Sequence, residues 1–123
     1  MRVLTLLAVL AGCAAVDRSG QEELARELSG RAAGATQQCV DTSESGTPVA
    51  VDRRTVVLRT AEAVWVNRLA ADCQGLTPMS TIIAESFAGR YCRNDRIRAV
   101  EAGSSTPGPR CRLGAWTPYH TAR

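Results

Sequence analysis

Five cysteines, Cys13, Cys39, Cys73, Cys92 and Cys111, are the residues of this 123-residue chain with the widest choice of chemistry. Thiols can pair, hold metal, attack carbonyls or accept lipid, and their spacing separates these fates. Structural zinc sites usually draw on Cys-x-x-Cys pairs, as do thioredoxin-like redox sites. No such pair occurs, so neither chemistry is expected and no metal or other cofactor is assigned. Nucleophilic catalysis would have to use His120, the only histidine. It lies in a terminal segment expected to fray, where an imidazole cannot hold hydrogen-bond geometry. Asp52, Glu62, Asp72, Glu85, Asp95 and Glu101 supply carboxylates for hydrolysis of an envelope polymer, but their spacing singles out no acid–base pair. Asn94-Asp95 reads instead as a turn.

The arginines form the next candidate group. The chain has 15 basic residues against 12 acidic ones, and every basic residue is arginine. The absence of lysine is attributed chiefly to genome base composition. A formal charge of +3 is too mild for a nucleic-acid footprint. Arg90, Arg93, Arg96 and Arg98 cluster around Cys92, with Arg110 and Arg112 expected on a neighbouring strand. One face could therefore meet anionic lipid, lipopolysaccharide phosphates or an acidic partner. The competing reading is a set of edge charges that block aggregation. Trp65 and Trp116 are read as core in preference to a sugar-binding platform, because few other large side chains are available to fill the interior.

At the N-terminus, Met1-Arg2 followed by the apolar run from Val3 to Gly12 reads as a secretory leader, too short to span a bilayer as a helix. Its end, Leu10-Ala11-Gly12-Cys13, resembles the lipobox of bacterial lipoproteins. The resemblance implies removal of residues 1–12 and a diacylglyceryl group on the Cys13 thiol. It also implies an acyl chain such as palmitate on the new amine, which together hold the protein stably on a membrane. Ala14 stands where an aspartate would favour inner-membrane retention, so in a diderm host the resemblance points to the outer membrane, facing the periplasm. Loss of Arg2 with the leader lowers the formal charge by one. The four remaining cysteines, Cys39, Cys73, Cys92 and Cys111, read as two disulfides in an oxidising compartment. Four cysteines allow three connectivities. Cys73–Cys92 with Cys39–Cys111 would tie the first strand to the last, and neighbour pairing, Cys39–Cys73 with Cys92–Cys111, is the other pattern weighed.

The elements that position these residues follow from periodicity. Residues 13–36 are polar and alanine-rich, as in a tether. Within them Ser19-Gly20-Gln21-Glu22 has capping-box spacing, and Leu24 and Leu28 share a helical face, with Gly34 as a stop. This short helix is either docked or a mobile spacer. Thr55–Arg59 and Ala63–Asn67 read as a hairpin around Thr60-Ala61-Glu62, with Val49–Asp52 extending the first strand. Further runs at 80–84, 97–101 and 110–116 complete about five strands. The expected fold is mainly β, a small antiparallel barrel or sandwich over residues 37–118 with the helix outside and a tail at 119–123.

Cys39, Thr55-Val56-Val57-Leu58, Val64-Trp65-Val66-Asn67-Arg68-Leu69, Cys73-Gln74-Gly75-Leu76, Tyr91-Cys92-Arg93-Asn94-Asp95-Arg96-Ile97 and Cys111-Arg112-Leu113-Gly114-Ala115-Trp116 occur in that order. This series resembles a domain of unknown function found in small exported proteins of proteobacteria, with Gln74 and Asn94 standing where that pattern often has Pro and Gly. The resemblance covers 37–118 and implies no activity and no catalytic roles. The expectation is a lipid-anchored envelope protein that binds or scaffolds. The alternatives are a small envelope-polymer hydrolase and an anion- or lipopolysaccharide-binding module using Arg90, Arg93, Arg96, Arg98 and Arg112. The expected partners are the membrane, through the N-terminal lipid, and either an anionic lipid or an envelope protein, not nucleic acid.

Overall fold

The computed structural model describes residues 11–41, 46–86 and 89–122, and of residues 11–16 the backbone alone. Among them one helix, α1 (Ala11–Leu28), precedes ten short strands. These are β1 (Arg31–Ala33), β2 (Cys39–Asp41), β3 (Val49–Asp52), β4 (Thr55–Arg59), β5 (Ala63–Arg68), β6 (Thr81–Glu85), β7 (Arg90–Cys92), β8 (Arg96–Val100), β9 (Cys111–Arg112) and β10 (Trp116–Thr121). The protein is mainly β with antiparallel pairing throughout, as expected. A five-stranded sheet in the order β1-β10-β5-β4-β3 is accompanied by the pair β2-β7 and the three-stranded sheet β6-β8-β9.

The five-stranded sheet is covered on both faces, which explains why four consecutive residues of β4, Thr55 to Leu58, are all buried. A half-exposed strand would alternate. Val56 and Leu58 point into one core with Val40, Ile82, Ile97, Leu113 and Trp116, so the small sheets lie against this face. Val51, Val57, Val64 and Val66 form a second core on the opposite face, closed by Leu24 with Leu28 at its edge. The helix is therefore docked, with Leu24 3% exposed.

Of the two readings of the short helix within 13–36, docked or a mobile spacer, the docked one is observed, with different bounds from those expected. Ser19 does not begin the helix but lies inside it. Gly20 is the crossing point, where a Cβ would sit 2.2 Å from the Val51 carbonyl oxygen. An interior glycine costs about 1 kcal/mol of helix propensity, and close approach of helix to strand is what it permits. The helix ends at Gly30 rather than Gly34, because Gly30 takes the left-handed conformation (φ 77) that terminates helices. Gly34 instead donates its N–H to the Pro118 carbonyl at 2.7 Å, just beyond β1.

Two further differences concern strand ends. Val49–Asp52 is a separate strand, not an extension of Thr55–Arg59, because the Asp52 carboxylate accepts the Arg54 N–H at 2.8 Å and closes a turn between them. The run 110–116 divides into β9 and β10, and the residues read as a frayed tail continue β10 to Thr121. Pro118 gives no N–H to the ladder. Pairing nonetheless continues past it, with Tyr119 opposite Val64 and Ala33, and His120 opposite Ala63 and Ala32.

The disulfides are Cys39–Cys92 and Cys73–Cys111, the third connectivity and neither of the two weighed from the sequence. Register decides it. Cys39 and Cys92 stand directly opposite each other across β2 and β7. That leaves Cys73, fully buried in the loop after β5, to reach Cys111 on β9. The bridges link residues 53 and 38 positions apart, and each is expected to contribute about 2–4 kcal/mol. Peptide mapping without reduction should recover these two pairs, and Cys73→Ala with Cys111→Ala should lower unfolding free energy by about that amount in denaturant titration. Gly20→Ala should cost about 1–3 kcal/mol through overpacking. Faster hydrogen exchange along α1 than in β4 would locate that loss at the helix–sheet contact.

Candidate arginine site

Asn67 organises the end of the five-stranded sheet. Its side chain is fully buried near the end of β5, and its amide N–H donates to the Gly114 carbonyl at 2.7 Å. Its carbonyl oxygen accepts the Gly114 N–H at 2.8 Å. A side-chain amide thus pairs with a backbone peptide as a neighbouring strand would, satisfying polar groups that burial would otherwise penalise. Gly114 is required there, since a Cβ would lie 2.3 Å from the Arg68 carbonyl oxygen.

The turn after β7 meets the same corner. The Asp95 carboxylate accepts the Cys92 N–H at 2.8 Å, and Asn94 adopts the left-handed conformation at φ 72. Asn and Asp tolerate that region better than other non-glycine residues. Reciprocal backbone bonds, Asn94 N–H to the Leu113 carbonyl and Leu113 N–H to the Asp95 carbonyl, both at 3.0 Å, fasten the turn to the chain leaving β9. Cys39–Cys92 secures its other side.

Arg68, Arg93 and Arg112 therefore arrive from β5, the β7–β8 turn and β9 to line one depression of about 350 Å³, with Asn94 and Gly114 in its wall. All three arginines are exposed, and no carboxylate lines the depression. No ion pair engages any of the three among the described residues. Arg68 brings its backbone to this corner and turns its guanidinium to the Thr55 hydroxyl at 3.4 Å, so the charge open to an oxyanion in the depression comes from Arg93 and Arg112.

The arginines expected to act together are otherwise divided. Arg98 donates to the Gly108 carbonyl at 2.8 Å and supports the 103–109 loop. Arg110 pairs with Glu85 at 3.0 Å. Arg96 stands opposite Arg112 on one side and Glu85 on the other. Arg90 lies at the start of β7, opposite Asp41, and does not line the depression. Arg93 and Arg112 meet as the sequence suggested, whereas Arg68 enters only through the Asn67–Gly114 corner.

Four of the six carboxylates weighed for hydrolysis have structural partners. Asp52 receives Gln21 and the Arg54 N–H, Asp72 pairs with Arg54, Glu85 with Arg110, and Asp95 caps its turn. Glu101 packs beside Gly75, away from a second carboxylate in the depression it lines, and Glu62 is exposed. Glu23 and Glu27 do line one groove of about 210 Å³ beside α1, together with Arg59. Arg59 makes a two-pronged bond to Glu27, at 2.7 and 2.6 Å, which outweighs burial and holds that carboxyl below its ordinary range. An acid kept ionised in this way is a poor proton donor. Trp116 is wholly buried, and Trp65 packs against the same core. Among the described residues there is no cluster of three metal-ligating side chains, and no helix is long and apolar enough to cross a membrane.

Because the folded Glu27 pKa is lowered, its contribution is present above the unfolded value and is lost as pH falls through the folded one. With both partners partly exposed, it should amount to about 0.5 kcal/mol. Stability measured from neutral into acid should therefore fall less steeply for Arg59→Gln than for the wild type, across and below the ordinary carboxylate range.

Comparisons with curated proteins and with solved structures bring no match. A family described only as one of unknown function, DUF6491, matches residues 1–123, and the chain belongs to that family.

Proposed function

We propose that this is a lipid-anchored envelope protein, held by Cys13 on the outer membrane and facing the periplasm, whose small β domain binds or scaffolds. The observation that carries this reading is the run Leu10-Ala11-Gly12-Cys13 at the end of an apolar leader. Residues 1–10 of that leader lie outside the described residues, and Cys13 falls in the first turns of α1. Two disulfides support an oxidising compartment, where such bonds persist. The structural use of the carboxylates favours binding over hydrolysis. A depression lined by three arginines gives binding a physical basis, drawing on long-range attraction and on bidentate contact.

Wild-type protein extracted from an envelope fraction should partition into the detergent phase and carry the mass of a diacylglyceryl group and an additional acyl chain. Cys13→Ser should abolish both the added mass and cleavage before residue 13. A Cys13→Ser protein that is processed and partitions like the wild type would refute the reading.

A further inference from the structure

The direction of α1 relates the expected anchor to the arginine depression. Asp17 bonds Arg53 at the β3–β4 turn, with a shortest distance of 2.9 Å, and Glu27 bonds Arg59 at the far end of β4. The helix therefore runs alongside β4 in the same direction, with its N-terminal turns at the Arg53–Thr55 end of the sheet. Thr55 stands opposite Arg68 in the β4–β5 register. Its hydroxyl lies 3.1 Å from the Gln21 amide nitrogen and 3.4 Å from an Arg68 guanidinium nitrogen, joining helix to arginine through one buried side chain. Cys13 precedes Asp17 by four residues, or about 6 Å of helix.

Other arginines at this end are already neutralised, Arg53 by Asp17 and Arg54 by Asp72. Arg68, Arg93 and Arg112 are not paired in this way among the described residues. Arg112 additionally stands opposite Arg96, and like charges directly opposite each other disfavour a sheet, a cost that Glu85 on the other side of Arg96 offsets in part. A lipid on Cys13 would bring this end of the domain toward the bilayer, where anionic headgroups concentrate negative potential.

We propose that Arg93 and Arg112, in the depression that the Arg68 end of β5 borders, bind the phosphate groups of anionic lipid headgroups in the membrane that carries the anchor. This rests on the lipid-anchor reading above. The anchor supplies attachment, and the arginines set which end of the domain meets the surface. Arginine suits the task because its planar fork meets two phosphate oxygens at once and it stays charged at any physiological pH. Contact of this kind weakens with salt, whereas acyl attachment does not.

The test uses the full wild-type chain on vesicles of phosphatidylcholine and on vesicles of phosphatidylcholine mixed with phosphatidylglycerol. Arginines are modified with phenylglyoxal and read by peptide mass spectrometry. Modification of Arg93 and Arg112 is expected to slow several-fold on the phosphatidylglycerol vesicles relative to phosphatidylcholine alone and to recover in high salt. Arg26, in the last turn of α1, should react alike on both. Equal reactivity of Arg93 and Arg112 on the two vesicles, in protein that floats with both, overturns the headgroup site and leaves anchoring intact. Protein that fails to float with phosphatidylcholine overturns anchoring, and protection on phosphatidylglycerol then decides the site by itself. Equal protection by inorganic phosphate without vesicles, with no further effect of phosphatidylglycerol, would place a soluble phosphate in the depression and overturn the membrane assignment.

Discussion

The pairing of the Asn67 amide with the Gly114 peptide is the constraint on which this corner of the molecule depends. Both groups are polar, and one is wholly buried, so leaving either unpaired would cost about 1–3 kcal/mol. Meeting both requirements fixes where the chain leaves β9, crosses from the small sheet to the large one, and enters β10. Trp116 is thereby delivered to the middle of the core, and Cys111 stays within reach of Cys73. Arg68 and Arg112 are brought to the same depression by the same crossing. The corner that completes the core thus also makes the cationic surface.

The core itself is built mostly from valine, leucine, isoleucine and alanine, divided between two faces of one sheet. Each half is thin. A domain of this size buries a modest fraction of its surface, and cross-links that restrict the unfolded chain offset part of that shortfall. The disulfides lie on the outer-layer side, where short strands have few ladder bonds to hold them. The helix performs the matching task on the other side by apolar packing, helped by the ion pairs at Asp17 and Glu27. Treating it as a tether would have left Val51, Val57, Val64 and Val66 facing water.

Legibility followed the range of the interactions involved. Thr55–Arg59 and the hairpin to Ala63 were readable because β-branched runs and a short polar turn are local signals. β1, β2 and β7 were not, since three residues of ordinary composition become strands only by pairing with partners far along the chain. Arg93 and Arg112 could be grouped through their cysteine neighbours. Arg68 could not, because its place depends on β5 lying beside β10 and on Gly114 approaching its carbonyl.

The sequence by itself determined the class of fold, the presence of two cross-links among Cys39, Cys73, Cys92 and Cys111, and the expectation of a lipid at Cys13, because each is written in residue types and short spacings. Tertiary structure decided the cysteine connectivity, the docking of α1 through Gly20, the course of β10 past Pro118, and the membership of the arginine site. These depend on register and on close approach between segments distant in the chain. A one-residue slip in register would reverse which side chains meet, and local composition carries little information about it.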